Sequence, residues 1–298
     1  MTTIGFIGLG HMGNPMSSHL LGNEYRLFVY DISKKAVEAL VEKGAIASES
    51  PRELAIQCDV IITSLQKGEQ VSQICLGDNG IFKHAKPNLL YVDCSSIDIT
   101  TTLKIHEEAK NKNIAMLDAP VSGGVMGAEA ASLTIMVGGS EKHFNQALPI
   151  LNKMGKKVIH AGQAGLGGAA KICNNLLLGI SMIGVSEAFS LAQKLGLDAK
   201  KFFDISSNAS GQCWSMTSYC PVPDILPHVP SSHNYQPGFM ADMMLKDLEL
   251  AQHAAETVNA LIPLGSVATE LYKLFVSEGF GEKDFSGIIK LIAGNDNN

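Results

Sequence analysis

Short apolar runs and amphipathic segments alternate along the first half of the chain. The β-rich runs are Ile4–Gly8, Arg26–Tyr30, Val60–Ser64, Leu89–Val92, Ala115–Asp118 and Thr134–Val137. The intervening segments with the apolar spacing of helices are Asn14–Leu21, Ser33–Lys43 and Thr100–Asn111. Ser33 stands at an N-cap position. Strands that alternate with helices at this spacing predict an α/β fold with a doubly wound parallel sheet.

The pattern changes at the glycine-rich stretch 161–170, after which the β-branched runs stop. A proline-free helical segment follows over Gly168–Leu195, and Gly196 is placed to end it as a C′ residue. Three or more helical segments follow, among them Ala199–Ser207, Met240–Val258 and Pro263–Glu278. Residues 209–238, rich in Pro, Ser, Asn and Tyr, are expected to form an ordered loop. We therefore expect an α/β domain over residues 1–162 and an all-helical domain over residues 163–298.

A G-x-G-x-x-G pattern follows the first strand-like run. Its glycines are Gly8, Gly10 and Gly13, with Leu9, His11 and Met12 between them. Because the pattern lies between a strand and a helix, it indicates a dinucleotide-binding Rossmann turn. The first glycine permits the tight bend, the second lets the backbone approach a pyrophosphate, and the third allows helix and strand to pack closely. The helix N-terminus attracts the phosphates.

Asp31 ends the second strand-like run. A carboxylate at this place accepts hydrogen bonds from the adenosine ribose hydroxyls, and it repels the 2′-phosphate of NADP. The expected cofactor is therefore NAD. Lys34 and Lys35 follow closely and leave some use of NADP open.

Composition and charge narrow the classes of function. The chain has 298 residues, of which 46% are hydrophobic and 17% charged, so it is long and apolar enough for two globular domains. Its net charge of -6 and scattered basic residues argue against a nucleic-acid surface. No apolar run reaches the roughly 18 residues that a membrane span needs, and no basic region precedes the first apolar run. We expect a cytoplasmic protein that binds neither nucleic acid nor membrane.

The six cysteines form no C-x-x-C pair and no zinc-like spacing with histidine. In a reducing compartment they are expected to be free thiols, and we expect no metal.

Four motifs, spread along the chain in one order, resemble those of the β-hydroxyacid dehydrogenases, which are related to 6-phosphogluconate dehydrogenase. The N-terminal fingerprint is the first, and DAPVSGG over Asp118–Gly124 resembles the substrate-binding signature. Gly165, Gly167, Lys171 and Asn175 set the spacing of the catalytic signature, and the tripeptide that starts at Lys246 resembles the C-terminal cofactor motif. Residues 171–188 and 211–239 closely resemble the corresponding stretches of 3-hydroxyisobutyrate dehydrogenases.

The resemblance implies oxidation of 3-hydroxyisobutyrate to methylmalonate semialdehyde, a step of valine catabolism, by hydride transfer to NAD. It makes Lys171 the general acid and base, with Asn175 four residues on and therefore on the same helix face. An ordinary lysine has a pKa of about 10.4, and partial burial and the positive nicotinamide would both lower it. The substrate-binding residues implied are Ser122, Gly123, Gly124, Trp214 and Phe239. The cofactor-binding residues implied beyond the fingerprint and Asp31 are Leu65, Gln66, Gln70, Ser96, Lys246 and Asp247.

Three positions depart from the family pattern. Leu65-Gln66 stands where Leu-Pro is frequent, Gln70 where Asn is frequent, and Ser96 where Thr is frequent. These departures bear on how the cofactor is held in its site and not on whether a cofactor is used.

Several related activities share this machinery. The alternatives are a tartronate semialdehyde reductase, a succinic semialdehyde or sulfolactaldehyde reductase, and an L-serine dehydrogenase. The residues near Trp214 and Phe239 would decide between these substrates. Imine reductases share the fold but usually lack the lysine, and a non-catalytic nucleotide-binding module would tend to lose it as well. A homodimer or homotetramer is expected from the resemblance, because an all-helical domain of this kind usually packs against a second subunit.

Overall fold

A computed structural model describes residues 1–22 and 24–294. The chain divides into two compact units, Met1–Lys171 and Ile172–Asn298, and the division falls inside one long helix. Our boundary after residue 162 stays a prediction.

The first unit contains a sheet whose central strands are parallel. Its strands in the described residues are β1 (Thr2–Ile7), β2 (Tyr25–Tyr30), β3 (Ile46–Ala47), β4 (Val60–Thr63), β5 (Leu90–Asp93), β6 (Ala115–Asp118), β7 (Val121–Ser122), β8 (Leu133–Gly139) and β9 (Gly155–Gly162). The sheet order is β3-β2-β1-β4-β5-β6-β8-β7, and β9 pairs with β8. Strand order reverses between β1 and β4, which is the topological switch point where an open α/β sheet binds its ligand.

Helices connect these strands. They are α1 (Gly13–Ser18), α2 (Lys34–Val41), α3 (Pro51–Gln57), α4 (Gly68–Leu76), α5 (Ile81–His84), α6 (Ile99–Asn111), α7 (Gly124–Glu129), α8 (Glu141–Met154) and α9 (Leu166–Lys194). Ser33 caps α2 as predicted, with its hydroxyl accepting a hydrogen bond from the Ala36 N–H.

Both faces of the sheet are buried. In β1, Ile4 and Phe6 contribute to one core cluster, while Ile7 contributes to the other. In β4, Ile62 and Ile61 divide between the two clusters in the same way. Alternate residues of one strand therefore meet helices on opposite sides, and this explains why the runs are apolar throughout. The predicted Rossmann-type sheet is confirmed.

The edge of the sheet differs from an all-parallel arrangement. Strand β8 runs antiparallel to β6 and β7 and parallel to β9. The sequence did not indicate β9, because its segment is polar and carries Lys156 and Lys157 exposed to solvent. Lysines are typical of an edge strand, where they discourage pairing with another chain.

The second unit is helical, as predicted. After α9 come α10 (Ala199–Ser206), α11 (Trp214–Thr217), α12 (Ala241–Val258), α13 (Pro263–Phe275) and α14 (Ile288–Ala293), with short 3-10 turns at Pro230–His233 and Phe285–Gly287 and an irregular turn at Val276–Phe280. Gly196 has a φ of 84° just past the end of α9, which confirms its predicted role as a helix terminator. The predicted loop over 209–238 contains α11 and one of the short turns.

Helix α9 is long and apolar enough to cross a membrane, with a mean hydropathy of 1.5 over its most apolar window. Half of that window is buried inside the protein. A core helix of a soluble protein has the same properties, so the length of α9 is weak evidence for a membrane span.

Candidate active site

The fingerprint glycines lie at the switch point, in the turn between β1 and α1. Gly8 has a φ of 91°, a backbone conformation that residues with a side chain rarely adopt, so it makes the bend as predicted. A Cβ on Gly13 would lie 1.8 Å from the carbonyl oxygen of Gly8, so only glycine lets α1 pack this closely on β1. The backbone conformation and the packing both fit the predicted roles of these two glycines.

Gly10 differs from the other two glycines. Its φ is not in the left-handed region, and a Cβ placed on it would meet no atom of residues 1–22 and 24–294 within 4 Å. Neither strain nor packing within the protein therefore requires glycine here. Close approach of a ligand to the backbone would require it, and the pyrophosphate of a dinucleotide fits that requirement.

Asp31 is tied to the same turn. Its carboxylate accepts hydrogen bonds from the Leu9 N–H at 2.7 Å and from the Ser33 N–H at 2.7 Å. A carboxylate has about four acceptor positions, so these two hydrogen bonds are compatible with the predicted binding of ribose hydroxyls. The neighbouring Lys34 and Lys35 are exposed.

The three residues between the fingerprint glycines differ in how far their side chains are exposed. The side chain of Leu9 is buried in the core, and Met12 is half-buried against it. His11 is exposed.

The loops after β4 and β5 border the other side of the switch point. The side-chain oxygen of Gln70 accepts hydrogen bonds from the Gln66 and Lys67 N–H groups, at 3.1 and 3.2 Å. The Leu65 N–H donates to the Ser95 hydroxyl at 2.9 Å. Gln70 therefore shapes the loop in which Leu65 and Gln66 were predicted to contact the cofactor.

Asp93 is hydrogen-bonded to residues at the start of both loops. It is buried, and its carboxylate accepts hydrogen bonds from the Thr63 hydroxyl at 2.8 Å and from the Ser95 N–H at 3.1 Å. Burial raises the pKa of Asp93, and the hydrogen bonds from Ser95 and Thr63 oppose that rise. Ser96, the predicted cofactor contact, is half-buried beside Ser95. The sequence singled out Ser96, whereas the structural link between the two loops is made by Ser95.

The predicted substrate turn follows β6 and β7. Ser122 is half-buried at the end of β7, and Gly123 and Gly124 have φ values of 137° and 64°. A side chain at either glycine would be strained, and a Cβ on Gly123 would also press on Leu133 at 3.1 Å. The turn therefore depends on glycine for its shape, which is compatible with backbone recognition of a small carboxylate.

Asp118 connects this segment to the start of α9. Its carboxylate accepts hydrogen bonds from the Gly165 and Gly168 N–H groups, both at 2.9 Å, and from the His106 ring Nε2 at 2.8 Å. The sequence pattern predicts Asp118 at the end of a strand and within a signature but indicates no partner for it, and nothing in the sequence singles out His106. No local signal links the three segments, because they are distant in the chain.

Lys171 and Asn175 lie one turn apart on α9 and share a face of that helix. Lys171 is half-buried, and Asn175 is 1% exposed. Asn174 donates from its side-chain amide to the Asn175 Oδ1 at 2.9 Å. The spacing that the sequence indicated for a catalytic pair is therefore present on a continuous helix.

Asp247 holds Asn175 in place. The Asn175 Nδ2 donates to the Asp247 Oδ2 at 2.5 Å, and Asp247 is 6% exposed. Lys246 Nζ lies 3.9 Å from the Asp247 Oδ1. Burial lowers the pKa of Lys246, and the charge of Asp247 opposes that change. In the second unit Asp247 thus supports Asn175, a residue predicted to meet the substrate, while its predicted contact with the cofactor stays a prediction.

Replacing Asp247 with alanine is expected to lower the free energy of unfolding by about 1–3 kcal/mol, because the buried Asn175 amide would lose its acceptor. Asp247→Asn is the matched control, since its side-chain oxygen can still accept that bond. Urea unfolding of both variants measures the difference. Equal stability of the two variants would show that the Asn175–Asp247 bond does not hold the site.

Trp214 and Phe239 are brought into one aromatic cluster of the second unit. Trp214 is 49% exposed and stacks on Tyr219 with ring centroids 4.9 Å apart. Tyr219 stacks on Phe285 at 5.3 Å, and Phe239 meets Phe285 edge-on at 5.6 Å. The two residues predicted to face the substrate are therefore joined through Tyr219 and Phe285, which the sequence did not single out.

Asp284 fixes this cluster from inside. It is fully buried, and one carboxylate oxygen accepts hydrogen bonds from the Tyr219 hydroxyl and from the Gly238 and Phe239 N–H groups at 2.9–3.0 Å. The other oxygen accepts from the N–H and hydroxyl of Ser286. Burial raises the pKa of Asp284, and these hydrogen bonds oppose the rise.

Within residues 1–22 and 24–294, no group of three or more His, Cys, Asp or Glu side chains is placed to hold a metal ion. The expectation that the protein uses no metal stays a prediction.

Two family models cover nearly the whole chain. The NAD-binding domain of 6-phosphogluconate dehydrogenase matches residues 3–162, and the NAD-binding domain of NADP-dependent 3-hydroxyisobutyrate dehydrogenase matches residues 165–292. Both models describe NAD-binding domains of dehydrogenases, and together they span residues 3–292 with a gap of two residues.

Individual relatives agree with these matches. An NAD-dependent L-serine dehydrogenase of Pseudomonas aeruginosa is 44% identical over 98% of both chains. The mitochondrial 3-hydroxyisobutyrate dehydrogenase of Homo sapiens is 42% identical over 98% of this chain and 87% of its own length. A solved structure of the Mycobacterium tuberculosis 3-hydroxyisobutyrate dehydrogenase with L-serine is 41% identical, with a TM-score of 0.94 over 99% of this chain and 100% of that one.

The geometry and the comparisons agree. The Rossmann turn has room for a pyrophosphate at Gly10, and a lysine and an amide lie one turn apart on α9. The family models match almost the whole chain. The chain belongs to the β-hydroxyacid dehydrogenase family, which includes the 3-hydroxyisobutyrate dehydrogenases, and it is an NAD-dependent dehydrogenase of that family.

Proposed function

We propose that the protein oxidises 3-hydroxyisobutyrate to methylmalonate semialdehyde, with Lys171 as the general base. The observation that carries the proposal is the pair formed by Lys171 and Asn175 on one face of α9, with Asn175 fixed by the buried Asp247. When bound, NAD supplies an acceptor for the hydrogen and electron pair that leave the carbinol carbon. The chain itself must remove the hydroxyl proton and hold the substrate.

Lys171 takes the hydroxyl proton through its Nζ, so its amine must be neutral before the alcohol is oxidised. In the reverse direction the ammonium returns the proton to the aldehyde oxygen. Asn175 orients the substrate oxygen, because the bond to Asp247 restrains the rotation of its side chain.

The substrate carboxylate binds at the turn after β7. The Ser122 hydroxyl and the N–H groups of Gly123 and Gly124 are the donors that we assign to it. A hydroxyl and backbone N–H groups can donate hydrogen bonds to a carboxylate. They do not compete with Lys171 for the hydroxyl proton of the substrate.

Several residues hold the cofactor in this proposal. The fingerprint turn binds the pyrophosphate over Gly10, and Asp31 binds the adenosine ribose and discriminates against a 2′-phosphate. The remaining contacts are assigned to the loops after β4 and β5 and to Lys246, namely Leu65, Gln66, Gln70, Ser96 and Lys246. Asp247 acts there through Lys246.

A second candidate substrate is L-serine. Both the Pseudomonas aeruginosa relative and the ligand in the Mycobacterium tuberculosis structure favour it. L-serine and 3-hydroxyisobutyrate share a hydroxymethyl group and a carboxylate, and they differ in an ammonium in place of a methyl group. The Trp214 and Phe239 rings favour the methyl group by burial but can also attract an ammonium over a ring face, so the aromatic cluster accommodates both.

Steady-state kinetics with NADH formation followed by absorbance decides between the candidates. 3-Hydroxyisobutyrate, L-serine, glycerate and 4-hydroxybutyrate are compared with NAD and with NADP. We expect the highest kcat/KM for 3-hydroxyisobutyrate with NAD. A higher value for L-serine would replace the first candidate with the second. If none of the four acids is oxidised although NAD binds, both candidates fail.

We also propose that the protein is a cytoplasmic homodimer or homotetramer. In the second unit one face of α13 exposes Leu264, Val267 and Leu274. An apolar stripe of this kind suits contact between copies of the chain.

A further inference from the structure

We infer that His106 is a positioning residue for Lys171, acting through Asp118 on the first turn of α9. The inference rests on the proposed role of Lys171 as the proton acceptor. His106, Asp118, the first turn of α9 and Lys171 all lie within the first unit.

Helix α9 does not cap its own N-terminus. The residues around its start are AGLGGAA, which offer no Ser, Thr, Asp or Asn side chain at the cap position. The Asp118 carboxylate, from the end of β6, binds the N–H groups of Gly165 and Gly168 and so replaces the missing cap. A negative charge at this end of a helix is also favourable because the helix dipole is positive there.

Packing explains why the first turn is made of glycine. A Cβ on Gly167 would lie 2.5 Å from the carbonyl oxygens of Asp118 and Met136, and a Cβ on Gly138 would lie 2.6 Å from the Asp118 carboxylate. Side chains are therefore excluded where α9 meets β6 and β8. Glycine is a poor helix former compared with alanine, so this turn is intrinsically weak and depends on its cap.

Helix α6 holds Asp118 in the orientation that the cap requires. Ile99, Leu103 and His106 follow one face of α6 at the spacing i, i+4, i+7. The first two pack on the turn, because a Cβ on Gly165 would lie 3.0 Å from Leu103 and one on Gly168 would lie 3.1 Å from Ile99.

His106 is the polar member of this face. Its Nε2 donates to the Asp118 Oδ1, and the side chains of His106 and Asp118 are only 11% and 4% exposed. This third hydrogen bond fixes the carboxylate so that its other oxygen faces the Gly168 N–H. Lys171 follows three residues after Gly168, within one helical turn. A shift of about 1 Å in a reacting group can lower a rate by about 100-fold, so the orientation of Asp118 bears directly on proton transfer.

The test compares His106→Leu with His106→Gln in the full-length protein. Leucine removes the donor, whereas the glutamine amide can place an N–H close to the position of the imidazole Nε2. We expect His106→Leu to lower kcat for 3-hydroxyisobutyrate by at least 10-fold while KM and the Kd for NAD change less than twofold. His106→Gln should restore most of the rate. His253→Leu, at an exposed position of α12, controls for the loss of an imidazole.

Amide hydrogen exchange of the segment 163–171 provides a readout that needs no substrate. Exchange should be faster in His106→Leu than in the wild type and near the wild-type rate in His106→Gln. A wild-type kcat in His106→Leu, or an equal loss in both variants, would overturn the inference. If the wild-type protein oxidises none of the acids, the proposed function fails, and the exchange rates alone still decide whether His106 fixes the turn.

Discussion

Replacing Lys171 with alanine is expected to lower kcat for the oxidation of 3-hydroxyisobutyrate by about 10²–10⁴-fold, the usual contribution of a general base. NAD affinity should change little, because the fingerprint turn and Asp31, to which we assign the cofactor, are elsewhere in the first unit. The wild-type rate should rise with pH as the lysine amine loses its proton, and the variant should lose that dependence. Steady-state kinetics across a pH range measures both effects.

Two further variants distinguish the role of Lys171 as a general base from the effect of its positive charge. Lys171→Arg keeps a positive charge that does not dissociate near neutral pH, so it should be nearly as inactive as Lys171→Ala. Lys194→Ala removes an exposed lysine from the last turn of the same helix and should leave kcat unchanged. If Lys171→Arg retains more than about a tenth of the wild-type rate, proton removal is not what Lys171 contributes.

The nucleotide-binding turn could be predicted from the sequence because its determinants are local. Gly8, Gly10 and Gly13 lie within one strand-turn-helix unit, and the spacing alone implies one glycine for the bend and another for close packing. The φ of Gly8 and the near contact of Gly13 with the Gly8 carbonyl bear out that reasoning. The helical spacing of Lys171 and Asn175 was predictable for the same reason.

The partners of these residues could not be predicted. Asn175 and Asp247 are 72 positions apart in the chain, and Gly165 and Asp118 are 47 apart. Periodicity describes which face a side chain occupies, but it does not say which distant carboxylate meets that face. Asp118 and Asp247 both lie within recognised motifs, and their contacts follow only from the tertiary fold.

Asp284 illustrates a second limit. It precedes a 3-10 turn as an ordinary N-cap residue, accepting from the Ser286 N–H, and that local role is all the sequence offers. The structure adds the Tyr219 hydroxyl and the Phe239 N–H as partners, which makes the same carboxylate the anchor of the aromatic cluster. In the proposed function this cluster meets the group on the substrate's second carbon, so a residue without a motif would influence the choice between a methyl group and an ammonium.

Alanine at Gly13 and at Gly10 should have opposite consequences, although the two glycines belong to the same motif. Gly13→Ala places a methyl group where the Gly8 carbonyl lies 1.8 Å away, so α1 must move off β1. We expect a loss of about 1–3 kcal/mol in the free energy of unfolding from such overpacking, with the Tm lowered by several degrees even without cofactor.

Gly10→Ala adds a methyl group in open space, so the Tm without cofactor should equal that of the wild type. The methyl group would instead occupy the place assigned to the pyrophosphate, and the Kd for NAD should rise at least 10-fold. Scanning calorimetry and NAD titration of the two variants, each serving as control for the other, measure both effects. A normal Tm for Gly13→Ala would contradict the packing of α1 on β1. A normal Kd for Gly10→Ala would mean that the phosphates bind elsewhere, since neither the φ of Gly10 nor its packing against the described residues requires glycine at that position.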